Sequence, residues 1–241
     1  MKRIIITAGD ARVGKSTTSK LLLDLYLEEG LNVYAAYGGH RNKLEAYEKY
    51  LTIHKFNLQR GDYDEFLASL EMLDDIDVVL MDMPGQILPE FIKFNRSIHF
   101  LEGLYSIGYR VTFLHPISSR TDCIDYLKEL IEELSDEADY VIVKNQYFGA
   151  RFPYYDGKAI EFAINNLGGI TMFLRALSKF VYAKLDEAGC TYADGGAKAP
   201  EAQVSRVIAV IERSFIFSWR NQFRSILYSE PKLLKYFGLS F

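Results

Sequence analysis

The stretch that decides the fold lies near the amino terminus and reads Gly9-Asp10-Ala11-Arg12-Val13-Gly14-Lys15-Ser16. It separates an apolar run at 3–8 from a helical pattern at 15–29. The residues fit G-x-x-x-x-G-K-[ST], a loop whose amides, helix N-terminus and Lys ammonium converge on nucleotide phosphates while its Ser holds Mg²⁺. The sequence therefore predicts a nucleotide-binding loop at 9–16, extended by Thr17 at the start of the helix. The alternative is a glycine-rich turn with an exposed Lys.

Strand-like and helix-like segments alternate along most of the chain. Apolar runs predict strands at 3–8, 32–37, 76–82, 110–115, 140–144 and 170–174, with a short extended piece at 53–57. Helical periodicity predicts helices at 15–29, 42–51, 62–73, 87–106, 119–136 and 178–188. Such alternation indicates an α/β fold with a mostly parallel sheet flanked by helices.

The sequence predicts a single domain over 1–241, with a core at about 1–190 and a C-terminal helical segment at about 201–241. The small, polar residues 193–200 predict an exposed loop. A long final helix is expected to bury one apolar face. That face comprises Val204, Val207, Ile208, Ile211, Phe215, Trp219 and Phe223.

Composition narrows the functional classes. The chain has 241 residues and a formal net charge of -4, which excludes a uniformly basic protein that coats nucleic acid through bulk charge. Its two cysteines, Cys123 and Cys190, form no C-x-x-C pair, so a reducing compartment is expected. The apolar run after Met1 is too short for a signal peptide or a membrane span. We therefore expect a cytoplasmic protein.

A second feature is the segment from Val78 to Gly85, which ends in Asp82-Met83-Pro84-Gly85. A carboxylate at the carboxyl end of a buried strand is well placed for a metal at the ligand-binding edge of the sheet. The sequence therefore predicts that Asp82 and Ser16 form a Mg²⁺ site. The alternative is a strand-terminating turn with a solvated Asp.

Four segments follow one another along the chain: the loop at 9–16, Asp82-Met83-Pro84, His115-Pro116 with Asp122, and Val141-Ile142-Val143-Lys144-Asn145. This series of segments resembles the ParA/MinD group of P-loop ATPases. The resemblance covers about residues 1–150. It implies that Mg²⁺-ATP is the ligand, that Asp82 is a switch residue, and that Asn145 hydrogen-bonds adenine. The stretch at 182–189 and the terminal helix resemble the plasmid-borne TraL- or StbB-like branch.

The chain departs from that group at two positions. Members carry a second Lys just after the first loop glycine, where this chain has Asp10, and Arg12 is the candidate replacement although its geometry differs. Members also place an Asp after the second strand, where this chain has His40 in a Gly-Gly turn. His40 and Gln86 are candidates for positioning water, and slow hydrolysis is expected. Lys15, Asp82 and Arg12 are thus the candidate catalytic residues.

Three further segments have two readings each. Ser118 or Ser119 predicts a helix N-cap, with Asp122 in the first turn, and the same segment could contact a partner. The C-terminal basic residues predict either non-specific DNA binding or a solvated helix face. They are Arg206, Arg213, Arg220, Arg224, Lys232 and Lys235. The tail at 233–241 is expected to dock into the protein's own core or a partner groove rather than onto a membrane.

These features predict an ATPase whose nucleotide state controls homodimerisation and the binding of a protein partner or DNA. The resemblance implies a role in plasmid partitioning, conjugation or intracellular positioning. Two alternatives stay open. One is a non-catalytic nucleotide-gated scaffold, and the other is a P-loop small-molecule kinase or ligase of the dethiobiotin-synthetase type.

Overall fold

A parallel sheet forms the centre of the protein in a computed structural model that describes residues 1–72 and 75–239. Within these residues it has seven strands in the order β3-β2-β4-β1-β5-β6-β7. They are β1 (Lys2–Thr7), β2 (Val33–Tyr37), β3 (Ile53–Lys55), β4 (Val78–Asp82), β5 (Tyr109–Ile117), β6 (Asp139–Asn145) and β7 (Ile170–Leu174). Every neighbouring pair is parallel. The predicted α/β fold is confirmed.

Helices cover both faces of the sheet. They are α1 (Lys15–Glu28), α2 (Arg60–Met72), α3 (Leu88–Ile98), α4 (Phe100–Ser106), α5 (Asp122–Leu134), α6 (Ala159–Asn166), α7 (Lys179–Ala188), α8 (Tyr192–Gly195), α9 (Ala202–Val207), α10 (Val210–Tyr228) and α11 (Pro231–Tyr236). Helices α2–α6 pack on one face, and α1 with α7–α11 pack on the other. Ile4 and Ile6 join the first core while Ile5 joins the second, because successive strand side chains point to opposite faces.

Two predicted helices in the first half differ from the structure. Residues 42–51 contain only a 3-10 turn at Glu45–Tyr47, because Leu44 and Tyr47 are buried against α1 and hold the segment as a loop. The pattern at 87–106 is two helices, since His99 between them has a left-handed backbone with φ 54°. Helix α2 matches the prediction at 62–73 up to Met72, and residue 73 lies outside the described residues.

Helix α5 begins later than predicted, and neither serine caps it. Its first residue is Asp122 and its N-cap is Thr121. Ser118 is buried instead, where its hydroxyl accepts a hydrogen bond from the Arg120 amide and lies 3.2 Å from Cys123 Sγ. The segment 118–121 is therefore a structured loop that leads from β5 into α5.

The C-terminal helical segment is divided into α9, α10 and α11 rather than forming one long helix. The chain is extended at Ile208, and the Glu212 carboxylate accepts the Ala209 amide to cap α10. Because α10 begins at this cap, the face that it buries differs from the predicted one, and Ile211 and Phe215 are exposed. The buried side chains are Glu212, Ile216, Trp219, Phe223 and Leu227. The predicted loop at 193–200 also begins inside α8, with Gly195 buried.

The tail docks into the protein's own core, as one of its two readings predicted. Leu233, Leu234 and Phe237 are buried with the α1 side of the sheet. The Tyr26 hydroxyl donates to the Phe237 carbonyl at 2.8 Å, and Thr112 Oγ1 donates to the Tyr236 carbonyl at 2.8 Å. Residues 240 and 241 lie outside the described residues. Across the described chain, no helix has both the length and the apolar character needed to cross a bilayer.

An ion pair fastens α10 to α1. Arg220 Nε donates to the Asp24 carboxylate at 2.7 Å, and the Asp24 side chain is only 3% exposed. Burial is the main cause that raises the pKa of Asp24 to about 6, although the Arg220 charge opposes it. Arg224, one turn later, pairs with Glu28 and Glu29 at the surface. Two of the six candidate DNA-contacting cations therefore hold the C-terminal helices in place.

Removing Arg220 should destabilise the protein far more than removing Arg224. Arg220→Ala leaves a buried carboxylate without its cation, and we expect a loss of about 3–5 kcal/mol in the free energy of unfolding at neutral pH. Arg224→Ala removes a half-exposed pair and should cost about 1 kcal/mol or less. Urea unfolding of both variants measures the difference.

The loss in Arg220→Ala should shrink as the pH falls through about 6. The pKa of Asp24 is about 6 with the Arg220 charge beside it and higher without that charge. Below about pH 6 the carboxyl is therefore protonated in both proteins, and the neutral form no longer needs a cation. Equal losses in the two arginine variants, or a loss in Arg220→Ala that grows on acidification, would contradict this account.

Candidate functional site

The loop between β1 and α1 is wrapped around the Lys15 side chain. Gly9 and Gly14 have φ values of 124° and 104°, which L-residues with side chains rarely adopt. Lys15 Nζ donates to the carbonyls of Gly9 at 3.1 Å and Asp10 at 2.6 Å. Burial lowers the pKa of the Lys15 ammonium to about 8. The loop therefore holds a partly desolvated cation at the N-terminus of α1, where an anion would be stabilised.

Asp82, at the carboxyl end of β4, accepts hydrogen bonds from three hydroxyl groups. Its carboxylate accepts from Ser16 Oγ at 2.7 Å, Ser19 Oγ at 3.0 Å and Thr7 Oγ1 at 3.1 Å. The predicted pairing of Ser16 with Asp82 is thus present in the geometry. A hydroxyl and a carboxylate oxygen are ligands that suit Mg²⁺, which usually takes one or two protein oxygens and completes its shell with water and phosphate. The residues present fit that ion.

Asn145, at the end of β6, braces the loop from the other side. Its Nδ2 donates to the Val13 carbonyl at 2.9 Å, and its Oδ1 accepts from the Tyr147 amide at 3.1 Å. A Cβ atom on Gly14 would lie 2.4 Å from Asn145 Nδ2, so only glycine fits there. Asn145 lines the cleft described below, and its role as an adenine reader stays a prediction.

Asp10, which stands where the resembled family has its second Lys, is buried in a polar clasp. Its carboxylate accepts from the Ala11 amide at 2.7 Å, from Gln86 Nε2 at 3.2 Å and from the Arg120 guanidinium. Arg120 Nη2 also donates to the Ala11 carbonyl at 3.1 Å. These hydrogen bonds to Asp10 join the loop to the segments after β4 and β5. Gln86 supplies the contact from the segment after β4.

His115, at the end of β5, lies fully buried beneath the loop. Burial lowers the pKa of its imidazole to about 3, so the ring is neutral at physiological pH. Its Nε2 donates to the Cys123 carbonyl at 3.3 Å. His115 therefore supports the loop without adding charge to it.

A cleft of about 790 Å³ opens beside the loop and runs along α1. Gly14, Lys15, Ser16 and Thr17 form one part of its wall, and Tyr147, Phe148, Leu174 and Leu177 give it an apolar part. Six cationic residues line it, against the carboxylates of Glu45 and Asp186. The cations are Arg12, Lys15, Lys20, Arg41, Lys43 and Arg175. This cation excess, in a chain of net charge -4, makes the cleft suited to an anionic ligand of small-molecule size.

A chain of side-chain contacts links the loop to the C-terminal helices. Thr17 Oγ1 lies 2.8 Å from the Tyr182 hydroxyl, which lies 3.0 Å from the Tyr192 hydroxyl. The Tyr192 ring packs edge-on against Trp219, whose Nε1 donates to the Arg175 carbonyl at 2.7 Å. Trp219 also lines the cleft and is the sole tryptophan of the sequence. Its fluorescence is therefore a reporter placed at the site.

The structure brings most of the sequence-predicted residues together around the loop. Arg12 has a positive φ of 64°, is exposed and lines the cleft, while Asp10 is turned into its clasp. His40 is exposed and lies outside the cleft wall. Sequence reasoning missed the roles of Arg120 and of the further cleft cations Lys20, Arg41, Lys43 and Arg175. Arg41, Lys43 and Arg175 follow the carboxyl ends of β2 and β7, which is the signal that could have found them.

Comparison with known proteins gives a likeness of fold. No protein-family model and no curated protein matches the chain. Among solved structures, a nucleotide-binding protein from Archaeoglobus fulgidus, in complex with ADP, is 16% identical with a TM-score of 0.50, covering 78% of this chain and 86% of that one. A MinC:MinD cell division protein complex from Aquifex aeolicus is 12% identical with a TM-score of 0.49, covering 93% and 96%.

The receptor FtsY from Elizabethkingia anophelis, in complex with GDP, is 16% identical with a TM-score of 0.46. The match covers 72% of this chain and only 57% of that one, so this chain matches little more than half the length of FtsY. At these identities the likeness shows the fold alone. The protein has the fold of P-loop NTPases.

The clasp around Asp10 predicts a coupled pair of mutations. Arg120→Ala leaves the buried Asp10 carboxylate without its cation and should lower the free energy of unfolding by about 1 kcal/mol, because Arg120 is itself half-exposed. Adding Asp10→Asn removes the unpaired charge and should recover most of that loss. Denaturant unfolding of the two single variants and the double variant measures the coupling. Strictly additive losses would show that the clasp has no energetic role.

Proposed function

We propose that this protein binds Mg²⁺-ATP through the loop at 9–16 and hydrolyses it slowly, and that its nucleotide state controls association with itself and with a partner. The observation that carries the proposal is the convergence of Lys15, Ser16 and Asp82 at one point of the sheet edge. Lys15 would contact the β- and γ-phosphates, and the loop amides would bind the remaining phosphate oxygens.

The metal site of the proposal is the Ser16–Asp82 pair. Mg²⁺ held there would neutralise phosphate charge during transfer. Ser19 and Thr7 orient the Asp82 carboxylate through their hydroxyls. This protein's own residues thus present one oriented oxygen pair beside the Lys15 ammonium.

ATP is proposed over GTP because the segment after β6 reads Lys144-Asn145-Gln146-Tyr147 and lacks the Asp of a guanine-reading Asn-Lys-x-Asp motif. Slow hydrolysis is proposed because Asp10 occupies a position where related loops carry a cation. Phosphoryl transfer depends chiefly on positioning and charge stabilisation. Plasmid partitioning, conjugation or intracellular positioning is the cellular role that the sequence resemblance implies.

A nucleotide-gated scaffold without turnover is the second candidate. The observation that favours it is the clasp, in which Gln86 and Arg120 both bind Asp10. Neither side chain is then directed at an attacking water molecule. In this function the Thr17–Tyr182–Tyr192 contacts would carry the nucleotide state from the loop to the C-terminal helices.

Titration with Mg²⁺-ATP tests the proposal through the fluorescence of Trp219. We expect a saturable change of Trp219 fluorescence in the wild-type protein. In Lys15→Ala the affinity for Mg²⁺-ATP should be lower by about tenfold to hundredfold, because a charge-assisted contact to phosphate is lost. Lys93→Ala is the matched control, since Lys93 is an exposed cation of α3 on the opposite face of the sheet.

Turnover and association are measured on the same samples. ATP hydrolysis with and without duplex DNA, beside sedimentation of the ATP-bound and ADP-bound protein, separates the ATPase from the scaffold. Binding without turnover selects the scaffold. An absence of ATP binding in the wild-type protein overturns both.

The affinity for ATP should fall as the pH rises above about 8. The free protein has a Lys15 ammonium with a pKa of about 8, and bound phosphate stabilises its charged form, so binding above that pH takes up a proton. Calorimetry near pH 8.5, in two buffers of different ionisation enthalpy, measures the uptake. Lys15→Met should abolish it. Proton release on binding, or an affinity for ATP that does not change through this pH range, would contradict the contact of Lys15 with phosphate.

A further inference from the structure

The cleft holds more positive charge than the loop at 9–16 accounts for. Lys20 of α1 and Arg41 and Lys43 of the segment after β2 line the same wall as Lys15. Across residues 1–72 and 75–239, none of these three side chains forms an ion pair with a carboxylate. Two cations of α10 behave differently, since Arg220 and Arg224 both pair with acidic residues of α1.

The segment that carries Arg41 and Lys43 is fixed against α1. Leu44 and Tyr47 are fully buried, and Asn42 Oδ1 accepts the Leu44 amide at 2.9 Å. The Tyr47 hydroxyl lies 2.8 Å from the Lys20 carbonyl and 2.8 Å from the Asp24 carboxylate. The backbone that bears the two cations is thus pinned beside the first turns of α1, which reduces the entropy lost when a ligand binds there.

Lys43 lies near both Lys15 and Lys20. Burial is the main cause that lowers the pKa of each of these two lysines, and the charge of Lys43 lowers both further. Nearby carboxylates, Asp82 for both lysines and Asp186 for Lys20, raise these pKa values in part. The cleft still has six cations against two carboxylates, so a bound anion would be stabilised by the excess of positive charge. The side chains have the chemistry of a phosphate site, because Arg presents a planar fork to phosphate oxygens and Lys a compact charge.

We propose that Lys20, Arg41 and Lys43 form a phosphate-binding subsite next to the loop at 9–16. It binds the oxygens of one phosphate group that the loop leaves open to the cleft. That group is either the terminal phosphate of the bound nucleotide or the phosphate of a separate small molecule in the same cleft. The subsite deepens the proposed function and rests on it, because the nucleotide occupies the neighbouring part of the cleft.

The test compares wild-type protein with Lys43→Ala, using Trp219 fluorescence as the readout. The ligands are ADP, the non-hydrolysable analogue AMP-PNP, and inorganic phosphate or pyrophosphate added to protein saturated with AMP-PNP. Lys43 is exposed and forms no hydrogen bond within the described part of the chain, so the variant should fold normally. Lys93→Ala removes the same charge from the opposite face and serves as the control.

Each pattern of results has one meaning. If the subsite takes the terminal phosphate, Lys43→Ala lowers the affinity for AMP-PNP by about tenfold to hundredfold and leaves that for ADP unchanged. If it takes a separate molecule, both nucleotide affinities are unchanged, and phosphate or pyrophosphate binding to the AMP-PNP complex falls by a similar factor. Identical affinities of wild type and Lys43→Ala for every ligand overturn the subsite.

Failure of the subsite and failure of the proposed function look different. If the wild-type protein binds neither nucleotide, the proposed function fails. The subsite is then still read from pyrophosphate binding to the free protein, which must weaken in Lys43→Ala and in Arg41→Ala but not in Lys93→Ala. If nucleotide binding is intact and depends on Lys15 but not on Lys43, only the subsite fails.

Discussion

The carboxylate of Asp82 is the interaction on which the site depends. It ends β4 and accepts hydroxyl groups from β1 and from the first turns of α1, so one nearly buried anion ties two central strands and a helix to a common point. A buried carboxylate is costly unless its oxygens are hydrogen-bonded. Those bonds fix where α1 begins, and this in turn fixes the loop that surrounds Lys15. The geometry of the loop around Lys15 is therefore tied to the satisfaction of one buried charge.

The distribution of cations divides the protein into two regions. On α10, Arg220 and Arg224 pair with carboxylates of α1 and act in packing, with Arg220 nearly buried over Asp24. Along the cleft, six cations face two carboxylates. Burial desolvates two of these cations, Lys15 and Lys20, while the other four are exposed. An anion bound in the cleft would offset the cost of desolvating those two lysines. The two regions share α1, whose carboxylates face α10 and whose N-terminus faces the cleft.

Much of the fold could be predicted from the sequence because its signals are local. Apolar runs located six of the seven described strands, β3 falls within the short extended piece predicted at 53–57, and the glycine and lysine spacing located the loop. The errors arose where tertiary contacts override local pattern. Residues 42–51 have helical periodicity, yet Leu44 and Tyr47 are drawn into the core and hold a loop. In α10, the capping of Ala209 by Glu212 set a start that turned Ile211 and Phe215 outward.

By itself, the sequence determined the α/β class, the order of strands and helices along the chain, and the placing of Ser16 beside a carboxylate at the end of β4. These follow from backbone geometry and from residue spacing within single segments. Only the tertiary structure decided that Arg120 clasps Asp10, that Arg220 is bound to Asp24, and that Lys20, Arg41 and Lys43 face one cleft. The physical reason is that these side chains come from segments distant in the chain. Their meeting depends on strand order and helix packing, which local periodicity does not encode.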